Sequence, residues 1–155
     1  MMILGRVGGA IDGMDVKLNF DGKQLFGRIG GDTVGVDVLL HINEDIVKGR
    51  AGGLLHGFDL DGTLTSEGAE LRAGGNVLGH DIKLEIQPHT ISGRFGGGIL
   101  GKDVNLDVSH NTIFGRFGGM VEGESIQLNT TAPPEIKALA AALAFAVLEH
   151  QNKKS

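Results

Sequence analysis

An arginine followed by x-Gly-Gly returns every 22 residues, at Arg6, Arg28, Arg50, Arg72, Arg94 and Arg116, with no insertion between copies. A strict period of this length marks a repeat architecture, in which each unit is a supersecondary element that cannot bury its apolar face alone. Every copy extends to Arg-x-Gly-Gly-x-x-x-Gly-x, followed by aspartate at Asp15, Asp37, Asp59, Asp81 and Asp103 and by serine at Ser125 in the sixth. The pattern constrains architecture far more than chemistry.

Each copy predicts two strands. In the sixth, Ile113, Gly115 and Phe117 alternate with Phe114 and Arg116, and Ile126 and Leu128 alternate with Ser125, Gln127 and Asn129. This is the period of two of a half-buried strand. The second strand recurs as Val16-Leu18-Phe20, Val38-Leu40-Ile42, Ile82-Leu84-Ile86 and Val104-Leu106-Val108. The constant spacing sets a hairpin register in which Arg6 faces Asp15 and Gly8 faces Gly13, so arginines and aspartates form an outward ladder. Each cross-strand pair fixes register and neutralises its own arginine. The glycine pair suits a strand end and a positive-φ turn; without a Walker lysine or a strand-to-helix context it is no phosphate loop.

After Pro133-Pro134, residues 135–150 are strong helix formers, with every side chain from Ala138 to Leu148 apolar. A helix without a polar face belongs inside a protein, and this run is shorter than the ~20 residues of a membrane span. Its expected length of ~24 Å matches strands of ~23 Å. Twelve strands closed into a barrel enclose more space than their side chains fill. The predicted fold is therefore mainly β: six 22-residue hairpins, residues 2–131, closed as a twelve-stranded antiparallel barrel around a buried helix, residues 135–150, in one domain spanning 1–155. Inward Gly5, Gly27, Gly49, Gly93 and Gly115 are expected to make room for the helix. The alternative is a parallel β-solenoid with a C-terminal helical cap, since 22 residues also suits one coil.

Six hairpins followed by the hydrophobic helix around Ala138 to Leu148 resemble the tubby C-terminal-like superfamily, which includes the LURP-one-related proteins and phospholipid scramblases. The resemblance is architectural and covers nearly the whole chain. It implies a twelve-stranded barrel threaded by the C-terminal helix, and phosphoinositide or other lipid binding. No lipid-contacting residue carries over.

Composition narrows the function. Cys, Trp and Tyr are absent and the formal charge is −5, which excludes disulfides and thiolate metal sites and argues against general nucleic-acid binding. Met1 to Val7 runs straight into the first repeat, so a cytoplasmic protein is expected. His41, His56, His80, His89, His110 and His150 lack metal-ligand spacing, and Asp12, Asp21, Asp45 and Asp61 read as turn or surface acids. Asp59-Leu60-Asp61-Gly62-Thr63 superficially matches an aspartyl phosphatase motif, but Asp59 is a repeat aspartate and Asp61 should face Lys48. Ser66 and Ser125 lack a nucleophile elbow. No catalytic, cofactor-binding or metal-binding residue is assigned.

Outward apolar residues carry the functional expectation. Two positions before the repeat arginine stand Leu4, Phe26, Lys48, Glu70, Ser92 and Phe114; barrel closure should make the apolar three neighbours, with Leu39 opposite Phe26. Leu4, Phe26, Leu39 and Phe114 are therefore the candidate interface, unless a loop or the tail from His150 covers them. The hairpin-tip residues Ile11, Thr33, Leu55, Val77, Ile99 and Val121 are expected to fold over the helix end as a plug, or else to form a membrane-facing or oligomer-forming rim. The resulting expectation is a non-enzymatic binding or assembly module that forms a homo-oligomer; the alternative is a phospholipid-binding or membrane-associated protein.

Overall fold

In the computed structural model, residues 1–9, 11–31, 34–53, 55–74, 79–96, 101–119 and 123–152 are described. The repeats form β1 (Met2–Val7), β2 (Met14–Phe20), β3 (Gln24–Gly30), β4 (Gly35–Asn43), β5 (Ile46–Ala51), β6 (Phe58–Leu64), β7 (Gly68–Gly74), β8 (Gly79–Ile86), β9 (Thr90–Phe95), β10 (Lys102–Val108), β11 (Thr112–Phe117) and β12 (Glu124–Asn129). Each strand pairs antiparallel with its sequence neighbours, and β1 with β12 closes the barrel. This closure rules out the solenoid. Closing the sheet also removes the two free edges that a stack of hairpins would expose.

The helix α1 (Pro134–Asn152) threads the barrel. Pro134 occupies its first position, where a missing N–H costs nothing, and the amides of Ile136 and Lys137 donate to the Pro133 carbonyl at 3.0 and 2.9 Å. Residues from Ala138 to Phe145 are wholly shielded from solvent, and α1 contacts strands on all sides of the barrel, including β1, β3, β7, β8 and β11. Its alanines keep it thin enough for the inward valines, leucines and isoleucines to reach it. At its C-terminal half, Phe145 stacks on Phe117 with ring centres 4.4 Å apart and meets Phe95 edge-on at 4.8 Å. Such pairs add direction to the apolar burial.

The inward glycines have a different cause from the expected one. A Cβ on Gly27, Gly93 or Gly115 would strike the backbone carbonyl of Lys17, Lys83 or Asn105 on the preceding strand, before meeting any helix atom. Each sits opposite an inward leucine: Leu18 faces Gly27, Leu40 faces Gly49, Leu84 faces Gly93, Leu106 faces Gly115 and Leu128 faces Gly5. Glycine thus lets neighbouring strands approach and coil, and the leucine beside it fills the space left without a side chain.

Register between hairpins sets the outer surface. Arg6 faces Asp15, but the next arginine, Arg28, lies opposite Lys17. Each hairpin is therefore displaced along its predecessor, as the tilt of barrel strands requires.

Candidate functional site

Five arginine–aspartate pairs form as expected, with Nη1 to Oδ1 distances of 2.6–3.0 Å at Arg6–Asp15, Arg28–Asp37, Arg50–Asp59, Arg72–Asp81 and Arg94–Asp103. The same guanidinium also reaches the turn. Nη2 of Arg6, Arg50 and Arg116 donates to the carbonyl of Gly9, Gly53 and Gly119 at 3.0–3.2 Å, and Arg28 uses Nε on the Gly31 carbonyl at 3.1 Å. The first glycine of each pair has φ of 86–119° from Gly8 to Gly118, the left-handed geometry that the turn demands. The arginine is therefore a brace between strand and turn, a role not read from the sequence. Arg116 faces Ser125, and among the described residues no carboxylate pairs with it.

Leu4, Phe26, Leu39 and Phe114 are all exposed, at 37–47%, but closure does not gather them as expected. Phe26 faces Leu39 directly. Leu4 faces Lys17 on one side and Asn129 on the other, while Phe114 faces Gln127, whose other neighbour is Arg6. β2 separates Leu4 from Phe26 and β12 separates it from Phe114, and these intervening strands present the polar Lys17, Asn19, Gln127 and Asn129. The apolar centre is thus the Phe26–Leu39 pair, flanked by the Arg28–Asp37 ion pair and the Gln24–His41 contact of 3.2 Å. Met2, exposed and two strands away, shares their row through Asn19.

The tips do not plug the barrel where they are described. Ile11 and Leu55 are 93% and 89% exposed; Thr33, Val77, Ile99 and Val121 lie outside the described residues. The helix end already makes polar contacts: Glu149 accepts from Lys102 Nζ at 2.7 Å, and His150 Nε2 lies 2.8 Å from the His56 carbonyl. His150 also packs against Phe58 at 4.9 Å, which directs it to the barrel end and away from the Phe26–Leu39 face.

At the opposite end the structure holds a feature not picked out from the sequence. Lys137, in the first turn of α1, is almost fully buried, and its Nζ donates to the carbonyls of Ser109 and His110 at 2.8 Å each. Desolvation lowers its pKa from the ordinary lysine value. Both carbonyls lie in the turn between β10 and β11, so the ammonium ties the start of the helix to that turn. An isolated lysine before an apolar run gives no hint of this in sequence.

Of the acidic candidates, Asp21 is a turn residue and Asp61 lies on the exposed face of β6. Asp21 Oδ1 accepts the amides of Lys23 and Gln24 at 2.9 and 2.7 Å, which holds its pKa below the usual carboxylate value. Asp61 faces Lys48 across β5 and β6. A surface depression of about 740 Å³ between Asp21 and Glu44 includes His41, whose Nδ1 contacts Gln24. Among the described residues there is no group of three or more His, Cys, Asp or Glu arranged to hold a metal, and no helix is long and apolar enough to cross a membrane. Comparison with family models, curated proteins and solved structures finds no match to this chain.

Proposed function

We propose that this protein is a non-enzymatic assembly module whose barrel is a rigid support for self-association through its outer face. The observation that carries the reading is the exposed Phe26–Leu39 pair. Contiguous exposed apolar side chains commonly mark an interaction surface, whereas scattered single ones do not. The rim offers both signs, with Lys17 and Arg28 on one side and the well-exposed carboxylate of Asp37 on the other. A second copy rotated by a two-fold axis therefore meets this face without net repulsion, and two-fold pairing is the commonest form of self-association. Leu4 and Phe114 stand at the margin of this reading.

The test is sedimentation velocity on the wild type and on Phe26→Lys/Leu39→Glu. The wild type should sediment as a dimer and the variant as a folded monomer. A wild type that stays monomeric at high concentration, or a dimer untouched by both substitutions, contradicts the reading.

A second reading has its own support. Ile11 and Leu55 project from one end of the barrel with almost no cover, as residues that dip into a lipid surface do. This is the membrane-associated activity that the tubby-like resemblance implies. Co-sedimentation with neutral and with acidic liposomes tests it, with Ile11→Ser/Leu55→Ser expected to remain in the supernatant.

A further inference from the structure

We propose that the seam between the sixth and first hairpins holds a carboxylate-binding site, built by the one repeat that lacks its own aspartate. In the first and third copies Nη2 of the arginine donates to the turn carbonyl and Nη1 donates to a carboxylate at 2.8 Å. Arg116 keeps the first contact, to Gly119 at 3.1 Å, but its cross-strand neighbour is Ser125. The guanidinium thus keeps the turn contact made by Arg6 and Arg50, with no carboxylate opposite it on β12. Its Nε is buried and meets no hydrogen-bond partner among the described residues; the feature that sets Arg116 apart from the other repeat arginines is a serine where they face an aspartate.

The surroundings favour an incoming acid. In the first five copies the second strand presents an aspartate next to the following hairpin, whereas β12 presents only Ser125 and Gln127 between Arg116 and Arg6. A depression of about 430 Å³ lies there, lined by Phe114, Arg116, Ser125, Gln127 and Arg6, with no acidic residue among the described residues of its wall. Arg6 is already paired with Asp15, so Arg116 is the guanidinium at this seam without an ion pair among the described residues; the Glu124 carboxylate lies by Gly8 at the edge of the depression. The Ser125 hydroxyl and the Gln127 amide are further donors, and Phe114, 47% exposed, offers an apolar wall for the body of the ligand. A half-buried, pre-oriented guanidinium binds a planar carboxylate through paired N–H donors, and its immobilisation by Gly119 reduces the ordering cost of binding. The ligand class is a carboxylate on an apolar body, either a free small acid or an acidic side chain of a peptide.

Site-resolved NMR titration distinguishes these sources, using benzoate as the free acid and a blocked Ala-Glu-Ala tripeptide as the side chain. The inference expects saturable shifts at the Arg116 side chain and at the amides of residues 125–127 with at least one of the two. Ser125→Asp restores the repeat's own partner and should weaken that binding by about tenfold or more, while raising thermal stability. Arg116→Gln should abolish it in a folded protein. Asp103→Ser should create a second responsive site at Arg94. Absence of a saturable response to both acids overturns the inference, as does a response that persists unchanged in Ser125→Asp. These readouts follow single residues and hold whether the protein is monomeric or dimeric.

Discussion

Gly62 on β6 faces Leu71 on β7, reversing the order of the leucine and glycine that meet at the other five hairpin seams. The fourth copy has leucine before its arginine where the others have glycine, and the third copy supplies the missing glycine from across the seam. Gly62 has φ of 157°, and a Cβ there would strike the Glu70 carbonyl, the same close approach seen at Gly115 from the opposite strand. The barrel requires one glycine per seam, not glycine at one sequence position.

Exchanging the pair should therefore be tolerated better than breaking it. Leu71→Gly empties a buried position and should cost about 3 kcal/mol or more, while Gly62→Leu overpacks the seam by about 2 kcal/mol. The double substitution restores the arrangement of the other seams and should be more stable than the sum of the single losses. Urea denaturation of the four proteins measures the coupling; strict additivity contradicts it.

Arg94 and Asp103 make the shortest ion pair of the ladder at 2.6 Å, yet both side chains are more than a third exposed. Water screens such a pair, so Arg94→Ala should cost about 1 kcal/mol or less. Arg94→Asp combined with Asp103→Arg should recover much of the loss caused by Arg94→Asp alone. A loss well above this range in urea unfolding would show that the bond from Nη2 to the Gly101 carbonyl dominates.

Lys137 gives the protein a distinctive alkaline response. Because burial lowers its pKa, the unfolded chain binds this proton more tightly than the folded one. Between the lowered value and the ordinary lysine value of about 10.4, the unfolded state holds more protons and stability rises with pH. Below both values the desolvation cost is present in full and constant. Tyrosine and cysteine, absent from the chain, do not titrate in the same window. Wild-type stability measured in urea should climb relative to Lys137→Met as pH rises through this range; parallel curves contradict the assignment.

Leu143 lies at the middle of α1 with no solvent exposure. Leu143→Asp places a carboxylate among aliphatic side chains and should cost about 4 kcal/mol or more. A melting temperature close to that of the wild type would be incompatible with a helix inside the barrel.

The arginine spacing made hairpin register legible, because Arg6 and Asp15 belong to one repeat and one turn length. It did not reveal how one hairpin lies against the next. Arg28 meets Lys17, and that stagger comes from strand tilt and closure, which no single repeat encodes. The expected cluster of Leu4, Phe26 and Phe114 failed because these residues stand on first strands of successive hairpins, with the polar outer face of β2 or β12 between them, while Phe26 opposite Leu39, a pair within one hairpin, is as read. Ser125 was visible as the departure from the repeat, but its consequence needed the third dimension: β12 lies between Arg116 and Arg6. Lys137 was invisible because its partners are backbone carbonyls, which leave no mark in sequence.

Native-state hydrogen exchange of the α1 amides tests most directly the claim that six hairpins close around the helix as one cooperative unit. The account predicts that amides from Leu139 to Leu148 exchange only through global unfolding, with the same free energy as the most protected strand amides. Exchange of the helix through a smaller opening, while β1, β6 and β11 stay protected, would contradict it.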